Sequence, residues 1–183
     1  MPRLFVALRP PPPVRERLLG LASGVPGARW QDDDQLHLTL RFIGEVDRHL
    51  AEDVAIALGG VRAPAFPLRL DGVGRFGRRG GTDSLWAGVW PRDAVAALAR
   101  KVDTCLSRFG LPADGRAYLP HITVARFGRR SGNQPEPWLE RWAGLAGPAW
   151  VADAFQLCES VLGGEGARYA AVARYPLERA PAT

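Results

Sequence analysis

The feature that most constrains this chain is a tetrapeptide written twice, His37-Leu38-Thr39-Leu40 and His121-Ile122-Thr123-Val124. Both copies run on into arginine, an aromatic and a glycine, as Arg41-Phe42-Ile43-Gly44 and Arg126-Phe127-Gly128. The chain has only three histidines, and two of them open these motifs. In an extended strand, successive side chains point to opposite faces. His37 and Thr39 therefore share one face, with Leu38, Leu40 and Phe42 on the other. His121 and Thr123 likewise face away from Ile122 and Val124. Two such strands brought together surround one small cavity with two imidazoles and two hydroxyls, an acid/base pair with an anion cradle.

The surroundings of the motifs repeat as well. Leu4-Phe5-Val6-Ala7-Leu8-Arg9-Pro10 matches Leu85-Trp86-Ala87-Gly88-Val89-Trp90-Pro91, and each strand enters a helix through proline. From Leu4 to His37 is 33 positions, and from Leu85 to His121 is 36. The order strand, helix, H-x-T-x strand, helix, strand, strand occurs twice, the signature of duplication. A duplicated α+β unit packs about a pseudo-twofold axis and brings equivalent histidines to the interface, a common place for a ligand site. The expectation is a single bilobal catalytic domain over 1–183. Its repeats span approximately 1–80 and 81–183, a division that allows closing strands to cross over between lobes.

Read in order, Leu4 to Leu8 is a buried strand, and Pro10 to Pro13 start a helix carrying Val14, Leu18, Leu21, Ala22 and Val25. Trp30 closes a short strand, Asp32 to Asp34 form a solvated acidic turn, and 36–43 is the first motif strand. A helix spans about Arg48 to Val61, with His49 on the surface, and Phe66 to Gly74 is a strand. Arg75 to Gly81 is a basic, glycine-rich hairpin loop with a possible phosphate-contacting role. Ser84 to Trp90 is a strand. The helix after Pro91 has the cleanest apolar stripe, Val95, Leu98, Ala99, Val102, Leu106 and Phe109. A loop over Leu111 to Tyr118, the second motif strand, a basic turn over Arg129 to Asn133 and a short helix around Trp138 and Trp142 follow. Two closing strands, Ala149 to Leu162 and Arg168 to Pro176, end the chain.

Composition narrows the class. The chain is 46% hydrophobic and 23% charged, ordinary for a globular protein. Its formal net charge is +5, and Lys101 is the only lysine among 24 basic side chains. Arginine's planar fork suits phosphate, although GC-rich codon usage gives the same bias. Cys105 and Cys158 have no C-x-x-C spacing, so inert thiols in a reducing cytoplasm are expected. The apolar run at the start is too short for a signal peptide or membrane span. A cytoplasmic monomer without membrane contact is expected.

At this point the chain resembles the 2H phosphoesterases, and within them the bacterial and archaeal RNA 2′,3′-cyclic phosphodiesterases, historically called 2′-5′ RNA ligases. The resemblance runs over nearly the whole chain. It includes Arg3 to Ala7, His37 to Gly44, Pro120 to Arg126, Leu157 to Leu162, Gly166, Tyr169 and Pro176-Leu177. It implies an α+β fold of two antiparallel sheets facing a central cleft, with helices outside. It also implies His37 as proton donor to the leaving 3′-oxygen and His121 as the base that activates water, giving a 2′-phosphate. The implied partner is RNA ending in a 2′,3′-cyclic phosphate.

The residues themselves support two proton carriers, since the unperturbed pKa of histidine is about 6.5. They do not order the roles, because the motifs are near-symmetric. Thr39 and Thr123 would donate hydrogen bonds to the phosphate. No cofactor or metal is expected, two separated histidines without carboxylates being a poor zinc site. Arg126 lies five positions after His121, which puts it on the opposite face unless a bulge turns it inward. Phe5 and Trp86 align across the repeat and could stack flanking bases, as could Tyr169; packing in the core is the competing reading. Two other functions compete: a phosphodiesterase for a small cyclic nucleotide or ADP-ribose cyclic phosphate, and a non-catalytic RNA-binding module.

Overall fold

Alternating apolar positions make strands of about a third of the chain, and the computed structural model describes residues 1–77, 81–128, 132–164 and 166–179. The strands are β1 (Arg3–Leu8), β2 (Arg29–Trp30), β3 (Leu38–Glu45), β4 (Phe66–Phe76), β5 (Ser84–Trp90), β6 (His121–Arg126), β7 (Trp150–Ala152), β8 (Ala154–Gly163) and β9 (Gly166–Pro176). The helices are α1 (Pro12–Leu19), α2 (Arg48–Leu58), α3 (Arg92–Ser107) and α4 (Glu136–Trp142). The sheet runs β7-β4-β5-β6-β3-β1-β8-β9, with β2 added beside β6. Its ladders are antiparallel.

The sheet is two halves joined at one place. β3 and β6, the two motif strands, pair at Leu38 and Ile122. Each half borrows strands from the other end of the chain. β4 lies beside β5, while β8 and β9 complete the half that begins with β1.

One face of the sheet packs on the helices. Val95, Leu98, Ala99, Val102 and Leu106 of α3 are buried in the main core, as are Val54 and Leu58 of α2. Each Val or Leu side chain so buried contributes about 1.5–3 kcal/mol. Phe109 falls past the end of α3 and is 42% exposed, so the stripe is one residue shorter than its sequence period. The expected first helix is shorter too. α1 stops at Leu19, and Gly20, Gly24 (φ 81°) and Pro26 lead the chain out of helix, although Leu21 and Val25 still reach the core. The other face carries a small second cluster, Phe5, Ala7 and Cys158, with Tyr169 against it. No helix among the described residues is long and apolar enough to cross a membrane.

The acidic turn is exposed at Asp32 and Asp34, as a solvated turn should be, and it adds ion pairs at Asp33. Asp33–Gln35 form a 3₁₀ turn closed by a reciprocal Asp32–Gln35 capping box. Asp33 takes Arg15 Nε at 2.8 Å and Arg9 Nη2 at 3.3 Å. The Arg15 hydrogen bond, more than any other contact, holds its carboxyl below the usual carboxylate range. Aspartates that look free in sequence here recruit arginines from β1's end and α1.

Candidate active site

Both motif histidines are held in the same way. His37 Nδ1 lies 2.7 Å from Gln35 O, and His121 Nδ1 lies 2.7 Å from Leu119 O. A carbonyl only accepts, so each Nδ1 carries hydrogen and each Nε2 is left as the reactive nitrogen. The Gln35 carbonyl is itself placed by the 3₁₀ turn, whose backbone oxygens at Asp33, Asp34 and Leu36 accept from Arg9.

Each imidazole also sits among aromatics. Phe5 is 4.8 Å from His37, and Tyr169 meets it edge-on at 4.9 Å. Phe76 meets His121 edge-on at 4.9 Å, with Trp86 at 6.0 Å. The sequence placed Phe5 and Trp86 at matching positions. The ladders place them two residues apart: Thr123 pairs with Trp86, whereas Thr39 pairs with Ala7. Phe76 ends β4, whereas the sequence pattern puts it in the basic, glycine-rich loop.

The fourth residue of each motif is a bulge. Across β1–β3, Ala7 pairs with Thr39 and Val6 with Arg41, so Leu40 is the extra residue. Across β5–β6, Trp86 pairs with Thr123 and Leu85 with Ala125, so Val124 is extra. A bulge reverses the facing of all that follows. Phe42 is therefore on the histidine face, not with Leu38 and Leu40 as strict alternation requires; its ring is 6.2 Å from Phe5 and 59% exposed. Arg126, three residues after Thr123 as Phe42 is after Thr39, is turned to the same face opposite Ser84. Its charge reaches both imidazoles.

Arg41 takes the core-side place between bulge and cleft, with Nε 2.8 Å from Asp103 Oδ1 on α3. Its Nη2 donates to Pro112 O. Tyr118, three residues before His121, donates its hydroxyl to Thr39 O at 2.9 Å. The loop that delivers one histidine is thus bonded to the strand that follows the other.

Burial lowers the pKa of both histidines. His37 falls to about 4, chiefly through desolvation, with the charges of Arg126, Arg9 and His121 acting in the same sense and the Gln35 carbonyl opposing. His121 is also lowered, by desolvation first and Arg126 next, against the Leu119 carbonyl. Both are therefore mainly neutral at pH 7.

Two cavities open from the site. One of about 260 Å³ is lined by Phe5, Arg9, His37, Gln156, Cys158 and Tyr169, among others. The other, about 670 Å³, runs from Thr39, Phe42, Phe76 and His121 along α3 to Arg100 and Arg116. Among the described residues no three His, Cys, Asp or Glu side chains are grouped to hold a metal ion. Of the basic loops, Arg75 is ion-paired with Glu136 at 2.8 Å, while Arg78, Arg79, Arg129 and Arg130 lie outside the described residues.

Comparison with known proteins decides the family. The model "LigT like Phosphoesterase" matches twice in succession, over residues 8–86 and 89–169. The chain belongs to the LigT-like phosphoesterases. It is 30% identical over 170 residues to a curated RNA 2′,3′-cyclic phosphodiesterase of Archaeoglobus fulgidus, covering 91% of this chain and 96% of that one. To the enzyme of the same name from Escherichia coli it is 32% identical over 139 residues, covering 74% and 77%. Among solved structures, a phosphoesterase superposes with a TM-score of 0.80 at 28% identity, over 96% of this chain and 98% of that one. E. coli LigT complexed with 3′-AMP superposes at 0.76 with 26% identity, over 97% and 99%.

Proposed function

We propose that this LigT-like phosphoesterase hydrolyses the 2′,3′-cyclic phosphate at the end of an RNA to a 2′-phosphate, by metal-independent general acid/base catalysis. The observation that carries this reading is the matched pair of Nδ1-anchored imidazoles, each with Nε2 free. Water is deprotonated by His121 Nε2 and attacks phosphorus. The P–O3′ bond breaks opposite the new P–O bond, and His37 Nε2 gives its proton to O3′. The products are the 2′-monoester, neutral His37 and protonated His121; exchange with solvent restores the starting state. Thr39 and Thr123 donate to the phosphoryl oxygens and Arg126 offsets their charge. A ribose 5′-hydroxyl replacing water would leave a 2′-5′ linkage by the same steps, giving RNA ligation.

The proton must start on His37, yet burial lowers its pKa to about 4 in the empty site. The leaving oxygen settles the roles: the imidazole beside O3′ is the donor, whichever is the stronger base in the empty protein. A bound phosphate anion favours both imidazolium forms and restores the proton that burial removes. We also assign the whole chain to a single catalytic domain.

The test is hydrolysis of an RNA with a 2′,3′-cyclic end, in excess chelator, by wild type, His37→Ala and His121→Ala. A 2′-phosphate product and a loss of roughly 10²–10⁴-fold in each variant are expected. Undiminished activity in either variant rejects the two-histidine mechanism. Binding without turnover by the wild type would make the protein an RNA-binding module instead.

A further inference from the structure

The two carbonyls that anchor the histidines are held in different ways. Leu119 O, which holds His121, belongs to a residue whose side chain has no polar atom. Gln35 O, which holds His37, belongs to a residue whose side-chain amide is bonded at both ends. Its Oε1 accepts from Asp32 N at 3.1 Å and closes the 3₁₀ turn. Its Nε2 donates to Ala167 O on β9 at 2.8 Å, across 132 positions of sequence. Gln35 is therefore bonded to the turn, to the far end of the chain and to the imidazole.

The strand that Gln35 reaches also borders the ring. Ala167 lies two residues before Tyr169 on β9, and Tyr169 meets His37 edge-on at 4.9 Å. The bond to Ala167 holds the turn that supplies the Nδ1 acceptor in register with the strand that supplies one wall of the imidazole. β9 ends the sheet and pairs with β8, so this bond joins hairpin to turn outside the ladder. A neutral imidazole can carry its hydrogen on either nitrogen, and the acceptor beside one of them decides which. Rotating the Gln35 peptide would turn that acceptor away, and Nε2 would no longer be reserved for the leaving oxygen. Gln35 lines neither cavity, so it acts through His37 and not on the substrate.

We infer that Gln35 is the positioning residue of His37: its side-chain amide, clamped between Asp32 N and Ala167 O, fixes the carbonyl that keeps hydrogen on Nδ1 and leaves Nε2 for proton transfer. Its effect on turnover rests on His37 being a proton carrier in the proposed reaction. The effect is confined to one histidine, because the carbonyl that holds His121 has no such amide behind it.

The experiment compares wild type, Gln35→Met, Gln35→Glu and Asp32→Ala. The ¹⁵N shifts of the imidazole nitrogens at about pH 8, where both rings are neutral, report the tautomer of each histidine without substrate. Steady-state hydrolysis of an RNA with a 2′,3′-cyclic end gives kcat and KM, and melting temperature checks folding. In Gln35→Met, which keeps the length and loses both amide bonds, His37 should pass from the Nδ1–H form to a mixture while His121 stays as it was. Its kcat should fall roughly tenfold, as displacement of a catalytic group requires, with KM changed less than about twofold. Gln35→Glu keeps the acceptor for Asp32 N and loses the donor to Ala167 O, so it should show the same change at His37 with a smaller loss of stability. Asp32→Ala removes the other half of the capping box and leaves both amide bonds, so it should lower the melting temperature and spare His37. Unchanged His37 shifts and kcat in the folded Gln35 variants overturn the inference, as does an Asp32→Ala that disturbs His37 as much as they do. A wild type that turns over no such RNA rejects the phosphodiesterase reading, a separate failure that the tautomer comparison does not depend on.

Discussion

Leu38 is paired with Ile122 where the two half-sheets meet. Each is the residue after a motif histidine, so this one bridge fixes the register of the two motifs. Antiparallel pairing about it sets His37 towards Thr123 and His121 towards Thr39. Each histidine thus answers to the other copy's threonine, and one substrate can use all four side chains. The bulges at Leu40 and Val124 then break the symmetry by what they turn inward, an aromatic in one half and a cation in the other. That asymmetry suits a reaction whose two sides, nucleophile and leaving group, are chemically different.

The histidine pKa values set the pH dependence. Both groups are lowered in the empty protein, so kcat/KM, which reports free enzyme, needs its singly protonated form. That form is most populated between about 4 and 6.5, and is lost as pH rises towards 8. The expected kcat/KM profile is a bell with its maximum on the acid side of 6.5. In the complex the phosphate raises both groups, so the kcat bell should lie at higher pH. Initial rates from pH 4 to 9 check this; a kcat/KM maximum above pH 7.5 would contradict it.

Arg126 lowers the pKa of both histidines, and in the proposed reaction it also offsets the charge of the phosphate. Replacing it by Gln removes a cation that lowers the pKa of both imidazoles. Both should rise, and the kcat/KM bell should move towards neutrality. Loss of a charge-assisted contact with phosphate should raise KM by roughly 10–100-fold. NMR titration of the two histidines in the variant reads the first effect without any turnover. Unshifted midpoints would place Arg126 outside the site's electrostatics.

Much of this candidate site is legible in the sequence. His37, Thr39, His121 and Thr123 announced themselves by recurrence, and the α3 stripe by its period. What alternation could not deliver was the facing of Phe42 and Arg126. A bulge is a property of a strand pair, and the extra residue, Leu40 or Val124, looks like any other aliphatic in a strand. Arg9 and Arg15 were hidden for a related reason. Their partner Asp33 is 24 and 18 positions away, and only the packed chain brings them together. Tyr118 carries no motif; its hydrogen bond to Thr39 O follows from what the fold puts beside it.

Gly74 should prove necessary for a reason outside its own backbone. A Cβ built on it would overlap Cζ2 and Cη2 of Trp86, whose ring also meets Phe76 and His121. Gly74→Ala must push the indole out of place. A loss of about 1–3 kcal/mol in stability is expected, with a fall in kcat because the wall of His121 moves. Trp86→Phe in the same chain should recover part of both, since the smaller ring leaves room for a methyl. Denaturant unfolding and kcat for the two single variants and the double variant measure the coupling. Additive losses would mean that the glycine and the indole act independently.

The exchanged strands bear on whether the chain is one unit. β4 precedes β5 in sequence, yet its β5 ladder extends from Arg69–Trp90 to Phe76–Ser84. β8 comes from the far end of the chain and pairs with β1 from Arg3–Ser160 to Ala7–Gln156. Neither half-sheet can therefore be completed from one half of the sequence. The whole chain should unfold in a single transition, with far-UV circular dichroism and tryptophan fluorescence giving the same midpoint and slope in urea. A fragment ending at residue 81 would keep β1 and β3 but lose β8 and β9, and would leave β4 without β5. It should be unfolded in isolation. Two separable transitions, or a folded N-terminal fragment, would show instead that the halves are independent domains and that the histidines meet only by docking.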